Sequence, residues 1–181
     1  KKKIFRKYLE IKSLLDLKAV VTPSEKYSLL LVEKNNFQLN KFFYKNIGKK
    51  YNWVDRLEWS NQNWIEYISN KNLYTFALKE NEDLVGYFEL IFHPESNEVE
   101  IAYFGILEEY FGKKLGGFLL SEAIKRSFLL DAKRVWVHTC SLDHKHALQN
   151  YLSRGLLLFH SRKIIFGGSK MKSRHPKWAY Q

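Results

Sequence analysis

The sequence holds a single cysteine, Cys140, and only three prolines, Pro23, Pro94 and Pro176. One cysteine cannot close an internal disulfide, so nothing calls for an oxidising compartment and a cytoplasmic location is expected. No run of about 18 apolar residues occurs, which argues against a membrane-spanning helix. The basic start, residues 1–17, alternates charge with apolar side chains. It lacks an apolar core and a small-residue cleavage site, so it is not read as a signal peptide. There is no internal repeat, low-complexity segment or Gly/Ser linker. Nothing resembles a zinc finger, an RNP box or a KH loop. No metal-ligand spacing is present either, since Cys140, His144 and His146 fit no standard site.

What is present is enough apolar mass for one domain: 181 residues, 45% hydrophobic and 16% aromatic. The formal net charge is +11. Such an excess attracts anions and raises their encounter rate, whether they are nucleic acid, an acidic protein or a phosphate-rich cofactor.

Periodicity divides the chain into elements. Short strands are expected at 7–11 and 28–32. A helix follows over 36–47, with Phe37, Leu39, Phe42, Phe43 and Ile47 at helical spacing and Gly48 at its end. Ser60 can cap a second helix, with Asn63 at its third position. Strands are expected at 73–78, 84–92 and 99–107, with turns at 80–83 and 94–97. A helical stripe runs over 115–130. A strand at 135–140, a helix capped by Asp143 and running to 152, and a strand at 156–166 complete the order. The expected fold class is α+β, a mixed and mostly antiparallel sheet flanked by helices. The expected division is an extension at 1–27, one domain at 28–166 and a basic tail at 167–181, whose Trp178 could pack back on the domain.

The stretch with chemistry in it joins the 99–107 strand to the helix at 115: Phe111-Gly112-Lys113-Lys114-Leu115-Gly116-Gly117. Three glycines in six residues let a backbone approach a ligand closely. The first N–H groups of a helix have no partner within it and sit at the positive end of its dipole. A pyrophosphate suits such a start, and Lys113 and Lys114 add charge beside it. The loop is not a P-loop, because no Gly-Lys-Ser/Thr closes it.

This loop resembles that of the GNAT superfamily of acyl-CoA-dependent N-acyltransferases, Arg/Gln-x-x-Gly-x-Gly/Ala. The matching positions are Phe111, Lys114 and Gly116; only Gly116 keeps the family residue. The later family run Asn-x-x-Ala-x-x-x-Tyr-x-x-x-Gly-Phe is similar to His144, Ala147, Tyr151, Gly155 and Leu156, with Ala, Tyr and Gly kept. The segments Trp136 to His144 and Tyr51 to Trp59 look like a bacterial subgroup mostly without an assigned substrate.

The resemblance implies a GNAT fold, in which a parallel strand pair splays and holds the cofactor. It implies transfer of an acetyl group from acetyl-CoA to a primary amine by direct attack, without a metal, and is compatible with a homodimer. An amine with the ordinary lysine pKa of about 10.4 is only about one part in a thousand neutral near pH 7.4, a penalty of about 4 kcal/mol, so a base is useful. Glu100 is the expected base and Tyr151 the expected acid, with His138 and His144 competing for the base role. Strand parity puts Glu100, Ala102 and Phe104 on one face, and Gly105 suggests a bulge or close approach. Cofactor contacts are expected from Phe104, Gly105, Ile106, Gly112, Lys113, Lys114, Leu115, Gly116, Gly117 and His144. Trp53, Asp55 and Arg56 are expected on the acceptor side, with Asp55 holding a cationic amine. The alternative reading is a non-catalytic basic domain of the same fold that binds nucleic acid or a protein partner. A longer acyl group is a third, decided by the space near Phe104 and Phe118.

Overall fold

The structure, a computed structural model, describes residues 2–166. The basic tail at 167–181, Trp178 included, lies outside the described residues.

Seven strands form one sheet. They are β1 (Lys2–Ile11), β2 (Tyr27–Leu31), β3 (Leu73–Glu80), β4 (Asp83–His93), β5 (Glu98–Ile106), β6 (Arg134–Cys140) and β7 (Leu157–Phe166). The order across the sheet is β2-β3-β4-β5-β6-β1-β7. Five of the neighbour pairs are antiparallel, and β5 with β6 is parallel. The mixed, mostly antiparallel sheet read from the sequence is therefore the one found. Strand β1 is longer than expected, starting at Lys2, and lies between β6 and β7. Part of the segment read as an extension is thus an interior strand.

Four helices cover the sheet: α1 (Phe37–Gly48), α2 (Asn61–Ser69), α3 (Leu115–Leu129) and α4 (Ala147–Ser153). Ser60 does cap α2. Its hydroxyl accepts from the Asn63 N–H while the Asn63 side chain accepts from the Ser60 N–H, a reciprocal capping box. Asp143, by contrast, does not cap α4, which begins only at Ala147. Its carboxylate accepts from the Thr139 hydroxyl at 2.7 Å and from the Cys140 N–H at 2.9 Å. Short acidic side chains readily bond to backbone nearby, and here that bond holds the turn after β6 instead of a helix start.

Two apolar clusters lie on opposite faces of the sheet. One packs Leu119, Leu120, Ala123 and Ile124 of α3 on Phe88, Leu90, Val99, Ile101, Val135 and Val137. The other packs Phe43, Tyr44 and Ile47 of α1 and Trp64 of α2 on Ala77, Tyr87, Ala102 and Tyr103. Val99 and Ile101 belong to the α3 face, so Glu100 between them points to the α1/α2 face. Val135 and Val137 flank Trp136 in the same way, and His138 follows on Trp136's side.

Candidate active site

The parallel pairing of β5 and β6 covers only Glu98 with Arg134, Val99 with Val135 and Glu100 with Trp136. Beyond Glu100 the strands part, and a cleft of about 550 Å³ opens in the gap. Residues 101–106 of β5 form one wall, with Val137 and His138 of β6 opposite. The start of α3 and one side of α4 form its outer end.

A bulge shapes the β5 wall. Register shifts where Leu90 pairs with Ile101 but Glu89 pairs with Tyr103, leaving Ala102 extra. Ala102 and Tyr103 therefore both join the α1/α2 cluster, while Phe104 packs on the α3 side. The expected single face of Glu100, Ala102 and Phe104 is thus corrected: an extra residue in one strand flips the alternation after it. Phe104 instead meets Tyr151 edge-on, with ring centroids 6.4 Å apart. Gly105 is in close approach, since a Cβ there would press on Ile47 Cγ2 at 2.5 Å.

The loop into α3 leaves its backbone open at the start of the helix. Gly112 has φ +77°, and a Cβ there would meet only open space. Lys114, the residue before α3, has φ +61° and ψ +25°, a left-handed conformation, and no side chain caps the helix. Gly112, Lys114, Leu115, Gly116 and Gly117 all line the cleft. Lys113 does not: it is exposed and its ammonium lies over the Tyr110 ring at 5.0 Å. Helix α4 is tied to this turn, for the Asn150 side chain donates to the Gly116 carbonyl at 3.1 Å. A Cβ at Gly117 would collide with the guanidinium of Arg154.

Tyr151 on α4 is 6% exposed and lines the cleft, as does His144 in the turn before α4. The His144 ring meets Phe111 edge-on at 5.1 Å and Tyr51 at 6.1 Å. These three aromatic rings come from three different loops. Burial, then the neighbouring His146 and Lys145, lowers the His144 pKa.

Glu100 is fully buried but is not in the cleft wall. Its carboxylate lies 3.2 Å from Nε2 of His93. His138, 6% exposed, does line the cleft, and its ring packs against Tyr8 at 5.6 Å.

Of Trp53, Asp55 and Arg56, Trp53 alone lines the cleft. Asp55 is half-buried and accepts from the hydroxyls of Tyr44 at 2.7 Å and Tyr103 at 2.9 Å. Arg56 is buried in the core. It donates to Glu89 at 3.2 Å and sits 4.0 Å from the ring centroids of both Tyr67 and Tyr103. Burial alone would lower its pKa, but Tyr103, Tyr67 and Glu89 hold it well above the ordinary arginine value. Arg56 is therefore a scaffold for Tyr103, which does line the cleft, and offers nothing directly to an acceptor. Sequence reasoning missed Tyr103, Asn150 and Arg154. The helical spacing of Asn150 and Arg154, one turn apart on the last helix, was the available signal.

Among the described residues no helix is long and apolar enough to cross a membrane, and no cluster of three or more His, Cys, Asp or Glu could hold a metal ion.

The profile of the acetyltransferase (GNAT) family matches residues 29–156. No curated protein matches the chain in sequence. Several solved structures share the fold at low identity. A functionally unknown conserved protein from Staphylococcus epidermidis is 17% identical with a TM-score of 0.59, over 90% of this chain and 60% of its own. An aminoglycoside acetyltransferase from an uncultured soil metagenomic sample, solved with trehalose, is 12% identical with a TM-score of 0.62, over 74% of this chain and 90% of its own. A GCN5-related N-acetyltransferase from Kribbella flavida is 12% identical with a TM-score of 0.60, over 85% of this chain and 54% of its own. This chain thus spans little more than half the length of the Staphylococcus and Kribbella proteins.

Proposed function

Because the chain belongs to the GNAT family of acetyltransferases, we propose that it moves an acetyl group from acetyl-CoA to a primary amine held in the cleft between β5 and β6. The observation that carries this reading is the divergence of β5 from β6 after Glu100, with an uncapped helix start at its outer end. The cleft fits a long, thin ligand with a phosphorylated end. Gly112 leaves open space where a side chain would stand, and the first-turn amides of α3 have no side-chain cap. Gly112, Lys114, Leu115, Gly116 and Gly117 would hold the phosphates, and residues 104–106 would run along the arm. Bound acetyl-CoA supplies an activated acetyl thioester.

The protein's own groups then handle protons. Tyr151 is the proposed acid for the departing thiol, supported by its buried position in the cleft wall against Phe104. A phenol with pKa near 10 is a weaker acid than a thiol near 8.5, so a hydrogen bond to the sulfur, more than full transfer, is its contribution. Glu100, His138 and His144 are the candidates for taking the amine's proton. His138 and His144 line the cleft and Glu100 does not; His138 stands on β6 opposite residues 101–106, which supports it as the base. Glu100, bonded to His93, then shapes the field at the point of divergence. Trp53 and Tyr103 would wall the acceptor, with Asp55 behind Tyr103 as the anion that favours a cationic substrate.

The test is calorimetric titration with acetyl-CoA, then an amine screen with wild type, His138→Gln, Glu100→Gln and Tyr151→Phe. Micromolar acetyl-CoA binding is expected, with His138→Gln lowering kcat/KM by about 10² to 10⁴ at neutral pH. A larger loss from Glu100→Gln would return the base role to Glu100. No acetyl-CoA binding up to millimolar would overturn the enzyme reading in favour of a basic domain that binds nucleic acid or a protein.

A further inference from the structure

Arg154 ends α4 with its backbone fixed on both sides. Its N–H donates to the Asn150 carbonyl at 3.1 Å, and its carbonyl accepts from the Lys18 N–H at 2.9 Å. The next residue, Gly155, has φ +103°, and a Cβ there would run into the Asp16 carbonyl oxygen, so the chain must turn at that point. The Arg154 side chain runs across the first turn of α3. Its Nη1 occupies the space where Gly117 would carry a Cβ, and the residue lines the cleft.

That is a costly place for a cation. The N-terminus of α3 is the positive end of its dipole, so a guanidinium laid on it is repelled. No acidic residue lies in the first turn of α3 to offset this. Among the described residues Arg154 has no carboxylate partner, and its buried Nε–H has no hydrogen bond. A buried donor left unsatisfied destabilises the protein that carries it. An anion held beside the guanidinium and the first-turn amides would offset that repulsion. Two positive sources then converge on one negative group, and the planar fork of arginine suits a phosphate.

We propose that Arg154 is a phosphate-binding residue, pairing through its guanidinium with a phosphate of coenzyme A at the first turn of α3. The proposal rests on the acetyl-CoA reading above and adds a residue from the last helix to the loop that was read from the sequence. It also assigns Gly117 a purpose: a side chain there would push the guanidinium off the turn.

The experiment is isothermal titration of wild type, Arg154→Gln and Arg154→Lys with coenzyme A and with pantetheine, which has no phosphate, alongside thermal melts. Arg154→Gln should weaken coenzyme A by about tenfold to a hundredfold, about 1.4 to 2.8 kcal/mol at 1.4 kcal/mol per decade, and leave pantetheine unchanged. Arg154→Lys, which keeps the charge and loses the fork, should fall between. Wild-type binding with no change in Arg154→Gln would overturn this inference and leave the cofactor reading intact. Equal weakening of coenzyme A and pantetheine would also overturn it, as a packing role does that. No coenzyme A binding by wild type would instead defeat the acetyl-CoA reading itself. If Arg154→Gln does not fold, Arg154→Lys decides: full coenzyme A affinity in that variant would overturn the proposal.

Discussion

The guanidinium of Arg56 and the carboxylate of Glu89 meet at 3.2 Å with both side chains buried. Glu89 also accepts from Asn40 at 2.8 Å and from Tyr67 at 2.7 Å, so it has several donors and Arg56 has one acid. Glu89→Gln would leave Arg56 without its counter-charge inside an aromatic cage, where a lone charge costs about 3–5 kcal/mol. Arg56→Met should cost less, because Asn40 and Tyr67 still satisfy Glu89. Urea unfolding of the two variants checks the order; a smaller loss for Glu89→Gln would contradict it.

Lys114 holds a left-handed conformation that costs a residue with a Cβ about 1–2 kcal/mol. Lys114→Gly removes that strain and returns part of it as extra freedom of the unfolded chain. A net gain of about 0.5–1 kcal/mol is expected, read as a higher melting temperature. Coenzyme A affinity should fall by less than about fivefold, because an exposed lysine contributes little to an ion pair.

Gly116 and Gly117 differ in what they tolerate. A Cβ at Gly116 would meet only Asn150 Nδ2, at an ordinary 3.6 Å. Gly116→Ala should fold and gain up to about 1 kcal/mol from helix propensity. Gly116→Asp should fold as well, yet bind coenzyme A weakly, since it adds a negative charge at the phosphate end. Titration of both variants checks this, and unchanged affinity in Gly116→Asp would remove the loop from the cofactor site.

The lowered pKa of His144 has a defined sign in stability. The unfolded side chain takes up its proton near pH 6.5, and the folded one only at lower pH. Between those two values the unfolded state binds more protons, so this contribution is complete above pH 6.5 and is lost as pH falls through the folded value. Thermal melts from pH 8 to 5 should show wild type losing more stability than His144→Gln. Parallel curves would mean that the ring is not desolvated by Phe111 and Tyr51.

The order of elements was legible because hydrophobic period and turn residues speak for themselves. The Ser60–Asn63 capping box is an example, as one motif fixes one helix start. Strand β1 was read short because Lys2 and Lys3 disguise an interior strand as a charged tail. The bulge at Ala102 was hidden for a different reason: alternation cannot announce where it breaks. Arg56 reads by type as a surface residue, and only the convergence of Tyr44, Trp59, Trp64, Tyr67 and Tyr103 from distant segments explains its burial. Spacing singled out Tyr151 and the glycine loop, which line the cleft. Arg154 stands one turn after Asn150, but that spacing does not show that its side chain crosses another helix's first turn.

Three residue pairs join β5 to β6, and beyond them the sheet has an open seam. On the reading proposed above, a ligand lying in that seam would do more than react there. It would stand in for the missing rungs and fasten the block of β6, β1 and β7 to the block of β2 to β5. Those amides of 101–106 and 137–140 that face the gap rather than β4 or β1 would then exchange with solvent readily in the free protein and slowly in the bound one. If acetyl-CoA is that ligand, its concentration would set the melting temperature as well as the rate, and added acetyl-CoA would slow proteolysis of the purified protein.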